Sequence, residues 1–159
     1  MRFNLLDKVE ELSDERIVAV KYVSLAEEYL GDHFPTFPVL PGVLMLEAAT
    51  QAAGWLLHQR TNFGKAVAVL KEARNVKYGH FVAPGNFLRL DVELSKPTDA
   101  GAIFKATGTV GPEQAFVAKI ELSYFNLADK NAGLAELDAK ITEHNKHRWQ
   151  MLTATGISQ

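Results

Sequence analysis

Residues 42–60 read GVLMLEAATQAAGWLLHQR, and this run constrains the rest of the chain more than any other. As a helix it would carry Val43, Leu44, Leu46, Ala48, Ala49, Ala52, Ala53, Trp55 and Leu56 around nearly its whole circumference. A helix that is apolar all round is stable only when protein encloses it. The stretch Val39–Leu57 is long enough to raise the question of a membrane span, but Pro41, Gly42, Glu47, Thr50 and Gln51 interrupt it. A carboxylate near a bilayer centre is costly. We therefore expect no membrane span, but a helix from about Gly42 to Arg60 buried inside a soluble fold.

The flanking sequence supplies the enclosure. Asn86–Ser95 alternates, with Leu88, Leu90, Val92 and Leu94 on one face and Arg89, Asp91 and Glu93 on the other. Ala102–Val110 and Gln114–Phe125 repeat the pattern, the second with Phe116, Ala118, Ile120, Leu122 and Tyr124 in register. Pro97-Thr98-Asp99-Ala100-Gly101 and Gly111-Pro112-Glu113 are short enough to make antiparallel hairpins. Arg2–Glu11 and Arg16–Ser24 form a further candidate pair, and Lys65–Tyr78 is extended. Strands with a single apolar face need one cover, and the apolar helix is that cover. The class is α+β, an antiparallel sheet wrapped around a central helix. A hydrophobically periodic run from Ala132 to about Met151, with Leu134, Leu137, Ile141 and Trp149 roughly on one side, adds a C-terminal helical extension. The expected division is 1–128 for the domain and 129–159 for the extension. His144 and His147 in that extension read as a solvated face, and nothing catalytic is expected there.

Composition narrows the chemistry. The chain contains no cysteine, which excludes a thiolate nucleophile, a disulfide framework and a zinc–thiolate site. Its 17 basic and 19 acidic residues give a net charge of −2, with no field for nucleic acid. The first eight residues have neither the apolar stretch nor the cleavage site of a signal peptide, so a cytoplasmic protein is expected. Neither a metal nor another cofactor is called for.

What remains is acid–base chemistry, and one stretch concentrates it. Pro35, Pro38 and Pro41 make a stiff loop that holds His33 ahead of the helix. Pro41 is suited to the first helical position, where its missing N–H costs nothing. Gly42 lets another group approach the backbone closely. The free N–H groups of the first helical turn, at Gly42 and Val43, suit a developing oxyanion. Glu47 is a carboxylate on an otherwise apolar helix, expected to be buried and able to donate a proton. Gln51, four residues on, shares its face and can orient it. Such a set suits proton abstraction beside a carbonyl, with loss of a group from the next carbon. Each residue also has a structural reading: a packing histidine, a glutamate tied to Arg60 or Arg74, and prolines that only shape the helix entry.

The pattern HFPxxPxxPGVLxxE from His33 to Glu47, followed by AxxQ, resembles the signature of the β-hydroxyacyl-acyl carrier protein dehydratases (FabZ/FabA type), which have a hotdog fold. Residues 3–9, 16–21 and 73–90 are similar to that family's strands and loops, whereas Ala132–Gln159 lies outside the likeness. The resemblance implies dehydration of a (3R)-3-hydroxyacyl thioester to a trans-2-enoyl thioester in fatty acid or related lipid biosynthesis. It makes His33 the base at the α-carbon, Glu47 the acid or water-holding group, and Gly42 the donor to the thioester carbonyl. It also implies a homodimer, alone or within a trimer of dimers, in which His33 and Glu47 of one site come from different subunits. Acyl carrier protein or coenzyme A carries the substrate. Lys71, Arg74, Lys77 and Arg89 are candidates for a basic docking patch. Asp32, Thr36 and Phe37 depart from the family pattern, as does the run Tyr78-Gly79-His80-Phe81. A non-catalytic acyl-thioester-binding subunit and a hotdog thioesterase are the alternative readings.

Overall fold

The computed structural model describes residues 3–156. Its strands are β1 (Lys8–Leu12), β2 (Arg16–Tyr22), β3 (Val67–Tyr78), β4 (Phe87–Thr98), β5 (Gly101–Val110) and β6 (Glu113–Phe125). Helix α1 spans Gly42–Arg60 and α2 spans Ala135–Thr153. All neighbouring strands pair antiparallel, in the order β1-β2-β4-β5-β6-β3.

The alternation in the sequence determines which face turns inward. Leu88, Leu90 and Val92 of β4, Phe104 and Ala106 of β5, and Phe116, Ile120 and Leu122 of β6 are buried in one core. Ala48, Ala49, Ala52, Ala53 and Leu56 of α1 share that core, and the helix packs against five of the six strands. Removing these side chains from water stabilises the fold by roughly 1.5–3 kcal/mol for each large one. No helix among the described residues is long and apolar enough to cross a membrane.

Several boundaries differ from the sequence reading by a few residues, and three of them have a physical reason. First, β4 continues through Pro97 to Thr98, leaving a two-residue hairpin turn at Asp99-Ala100. Proline is tolerated there because β2 pairs with β4 only as far as Glu93, so the strand beyond has one free side. Second, β1 begins only at Lys8. Upstream of it the chain is held mostly by α1: the Leu5 N–H donates to Gln51 Oε1 (3.0 Å), and Gln51 Nε2 donates to the Phe3 carbonyl (2.6 Å). Arg2 lies outside the described residues. Third, Pro41 is the N-cap residue of α1, not its first helical residue.

The C-terminal helix docks on its own domain. Leu152 is buried, Trp149 meets Trp55 of α1 at 5.8 Å between ring centroids, and the helix packs along β1. Asp138 is buried and accepts from the Leu127 and Ala128 N–H groups (2.9 and 2.8 Å), tying the helix to the turn after β6. Leu137, expected on the docking face, is 44% exposed.

Gly108 is required by the packing of the core. A Cβ on Gly108 would lie 2.4 Å from Phe116 Cδ1 and 3.0 Å from Leu88 Cδ1, and both side chains are wholly buried. We predict that Gly108→Ala lowers stability by roughly 1–3 kcal/mol through overpacking. This is measurable as a lower urea midpoint at constant slope, and an unchanged midpoint would contradict this packing.

Candidate active site

His33 follows the short helical turn Glu28–Gly31. Its backbone N–H bonds to the Tyr29 carbonyl (3.0 Å), and its own carbonyl accepts from Val39 N–H (3.1 Å), closing the proline loop on itself. Its ring is fixed as well: Nδ1 lies 3.0 Å from the Val39 carbonyl oxygen. A carbonyl only accepts, so Nδ1 carries the proton and the neutral ring presents its lone pair at Nε2. Phe34 stacks on the imidazole at 4.2 Å.

Gly42 and Val43 stand beside this ring. The three residues line one cavity of about 450 Å3, together with Met45, Tyr78, His80 and Phe81. The first N–H groups of a helix have no intrahelical partner, and those of Gly42 and Val43 bond to no other described group. The close approach expected at Gly42 is made by Tyr78, whose Cε1 lies 2.8 Å from where a Cβ would sit. Bulges in β3 near Asn75 (φ 52°) bend the strand that carries this tyrosine. Burial raises the Tyr78 hydroxyl pKa above its ordinary value.

Glu47 lies elsewhere. It lines a second cavity of about 430 Å3, none of whose wall residues belongs to the first. It is half-buried, not buried as its apolar neighbours suggested, because the cavity opens beside it. Gln51 Nε2 donates to Glu47 Oε1 at 2.9 Å. The amide cannot be flipped: the Leu5 N–H must face an oxygen, and the Phe3 carbonyl must face the NH2 group. Gln51 therefore presents only a donor to the carboxylate. Neither arginine considered as a structural partner reaches Glu47, since Arg60 bonds to the Asp14 carbonyl and Arg74 to Glu72.

The basic patch is largely neutralised. Lys71 pairs with Glu121, Arg74 with Glu72, and Arg89 with Glu10 and Glu11. Only Lys77 of the four has no ion pair among the described residues. His144 and His147 are exposed, and no cluster of metal-binding side chains occurs among the described residues.

The wall of the Glu47 cavity holds residues of α2 that the sequence reading did not place at the site, and of these it had singled out only Ile141, as part of the apolar side. Ile141, Asn145, Arg148 and Leu152 of α2 line it, opposite Thr50, Gly54, Trp55 and His58 of α1. Their spacing of four, three and four residues marks one stripe of a helix, a signal present in the sequence but obscured by its two polar members. His58 is buried in a directed chain. Asn145 Nδ2 must face the Ala66 carbonyl (3.0 Å) and also meets His58 Nε2 (3.4 Å), so Nε2 accepts and Nδ1 carries the proton. Nδ1 then donates to Tyr124 Oη (3.2 Å), which donates to Thr61 Oγ1 (2.9 Å), which donates to the Leu57 carbonyl.

An antiparallel sheet around a central helix, with a histidine braced by prolines ahead of the helix and a carboxylate inside it, describes a class of hotdog-fold proteins. Solved structures support the fold. The dehydratase heterocomplex ApeI:P from Xenorhabdus doucetiae aligns with a TM-score of 0.57 at 21% identity, covering 72% of this chain and 93% of that one. An HP0420 homologue from Helicobacter felis aligns at 0.59 and 11% identity, covering 79% and 82%. The model of the FabA-like domain matches residues 1–121, and the chain belongs to that family. Curated relatives are named 3-hydroxyacyl-(acyl-carrier-protein) dehydratase FabZ. That of Clostridium perfringens is 39% identical over 108 residues, covering 68% of this chain and 78% of its own length. That of Lactococcus lactis subsp. cremoris is 42% identical over 109 residues (68% and 75%), and that of Solibacter usitatus 34% over 129 residues (80% and 78%). Helix α2 lies beyond the residues that the FabA-like model matches.

The His58 chain has a consequence for stability. Burial lowers its pKa from 6.5 to about 4, so between these values the unfolded chain binds a proton that the folded one does not. Stability is thus complete above pH 6.5 and falls as the pH drops towards 4, by roughly 3 kcal/mol in all. Urea unfolding from pH 7.5 to 4.5 should show this slope, and His58→Gln should flatten it. An equal slope in both proteins would contradict the assignment.

Proposed function

We propose that this chain dehydrates (3R)-3-hydroxyacyl thioesters of acyl carrier protein to trans-2-enoyl thioesters, as the names of its relatives suggest. The observation that carries this reading is the pair of oriented groups of opposite function. His33 presents a lone pair at Nε2 beside the free N–H groups of Gly42 and Val43, and Glu47 is held by the Gln51 amide.

In this mechanism the thioester carbonyl lies against the Gly42 N–H, which stabilises negative charge as it develops on oxygen. His33 Nε2 takes the α-proton. The electron pair forms the Cα–Cβ double bond as the β C–O bond breaks, and Glu47 gives its proton to the departing hydroxyl to form water. The proton on His33 returns to Glu47 through solvent, so the cycle closes without net transfer.

The two groups line separate cavities of one protomer, which supports a site shared between two copies. Strand β3 is suited to join them: it ends the sheet with an unpaired edge and carries Val69 and Leu70, 43% and 37% exposed. In a homodimer of this kind His33 and Gly42 of one subunit face Glu47 of the other. The proposed setting is the cytoplasm, with acyl carrier protein as partner, in fatty acid biosynthesis. The neutralised patch on β3 leaves Lys77 as the cation there best placed to meet an acidic carrier.

The test is enoyl-thioester formation from (3R)-3-hydroxyacyl carrier protein. His33→Ala and Glu47→Gln should each lower kcat by at least about 100-fold while leaving the dimer and its melting temperature unchanged. Gln51→Leu should lower kcat roughly tenfold through a misplaced carboxylate. Full activity in both His33→Ala and Glu47→Gln would refute the assignment. Thiol release without enoyl product would point to a thioesterase instead.

A further inference from the structure

The extension beyond the family domain is built into the Glu47 cavity, and it brings a cation with it. Arg148 of α2 is half-buried in the cavity wall. Its single hydrogen bond among the described residues is a long one, 3.3 Å from Nη2 to the Leu6 carbonyl. No described carboxylate lies within ion-pair distance of it, in contrast to Arg16, Arg74 and Arg89 on the sheet, each of which has an acidic partner. Three other polar side chains of that wall are already engaged. Asn145 holds the Ala66 carbonyl, Gln51 holds Glu47 and the N-terminal segment, and His58 is committed to its chain with Tyr124. A half-buried guanidinium with free donors in a cavity wall is suited to a planar oxyanion, which it can hold by two parallel bonds.

The direction of the substrate decides which of its ends meets this group. This step rests on the dehydratase reading above. The thioester carbonyl lies at Gly42, the α-carbon at His33 and the β-hydroxyl at Glu47, so the carrier arm leaves on the His33 side. The remainder of the acyl chain continues past Glu47 into the cavity that α2 closes. Arg148 bonds to Leu6, and the adjacent Leu5 bonds to Gln51, so the guanidinium is anchored near the level of Gln51. That is one turn beyond Glu47, about 6 Å along the helix. We propose that Arg148 anchors a carboxylate at the far end of a short acyl chain, so that the preferred substrate is a 3-hydroxy dicarboxylic acid joined to its carrier through one end.

The experiment compares matched pairs of carrier-protein thioesters on the full chain. (3R)-3-Hydroxyadipyl and (3R)-3-hydroxypimeloyl thioesters are set against the 3-hydroxyhexanoyl and 3-hydroxyheptanoyl thioesters of equal length. The wild type should show the higher kcat/KM on the dicarboxylic pair. Arg148→Met should lower that value roughly tenfold or more, as expected when a charged hydrogen-bonded pair is broken, and leave the hydrocarbon pair within about twofold. Arg148→Lys should keep part of the preference. An equal effect of Arg148→Met on both series, a wild-type preference for the hydrocarbon chains, or loss of the dimer in Arg148→Met would each overturn the proposal. Those outcomes leave dehydration itself standing. Turnover of neither series would remove the dehydratase reading, and this proposal with it.

Discussion

Helix α1 is apolar around nearly its whole circumference, and the architecture is the response to that fact. A helix of this kind must be enclosed, and the three longest alternating strands supply the inward face that encloses it. Enclosure also leaves the helix start at the rim, where the N–H groups of Gly42 and Val43 are free to meet a ligand. The same burial makes Glu47 and Gln51 informative. Polar side chains inside an apolar helix need partners, and these two find each other and the N-terminal segment.

The two halves of the proposed site lie in separate cavities of the protomer. His33 is braced ahead of the helix, and the carboxylate that would complement it looks into a different cavity. Each half is oriented by backbone groups: the Val39 carbonyl sets the imidazole, and Leu5 and Phe3 set the amide that holds Glu47. Positions fixed by backbone lose little on binding, which is what an acid–base pair requires. Dimerisation through the β3 edge would then complete the site and cover an exposed strand in one step.

Much of this was legible from local pattern. The limits of α1 are those expected from the apolar run, and the three long strands fall where alternation put them. The proposed site is built from residues that the same stretch singled out, His33, Gly42, Glu47 and Gln51. The misreadings share a cause, namely contacts between residues far apart in the chain. Pro97 reads as a turn until the end of the β2 pairing shows a free side. Glu47 reads as buried until the cavity beside it is seen. Asn145 and Arg148 carry no local signal of a cavity wall, which forms only when α2 folds back on α1, 87 residues away in the His58–Asn145 pair.

The central claim, a site shared between two copies of the chain, can be measured directly by mixing inactive variants. His33→Ala and Glu47→Ala proteins are unfolded together, refolded and assayed. A dimer holding one of each has one site with both defects and one site with neither, so a statistical mixture should recover about a quarter of wild-type activity. A mixture as inactive as its two components, with mixed dimers shown to be present, would contradict the account.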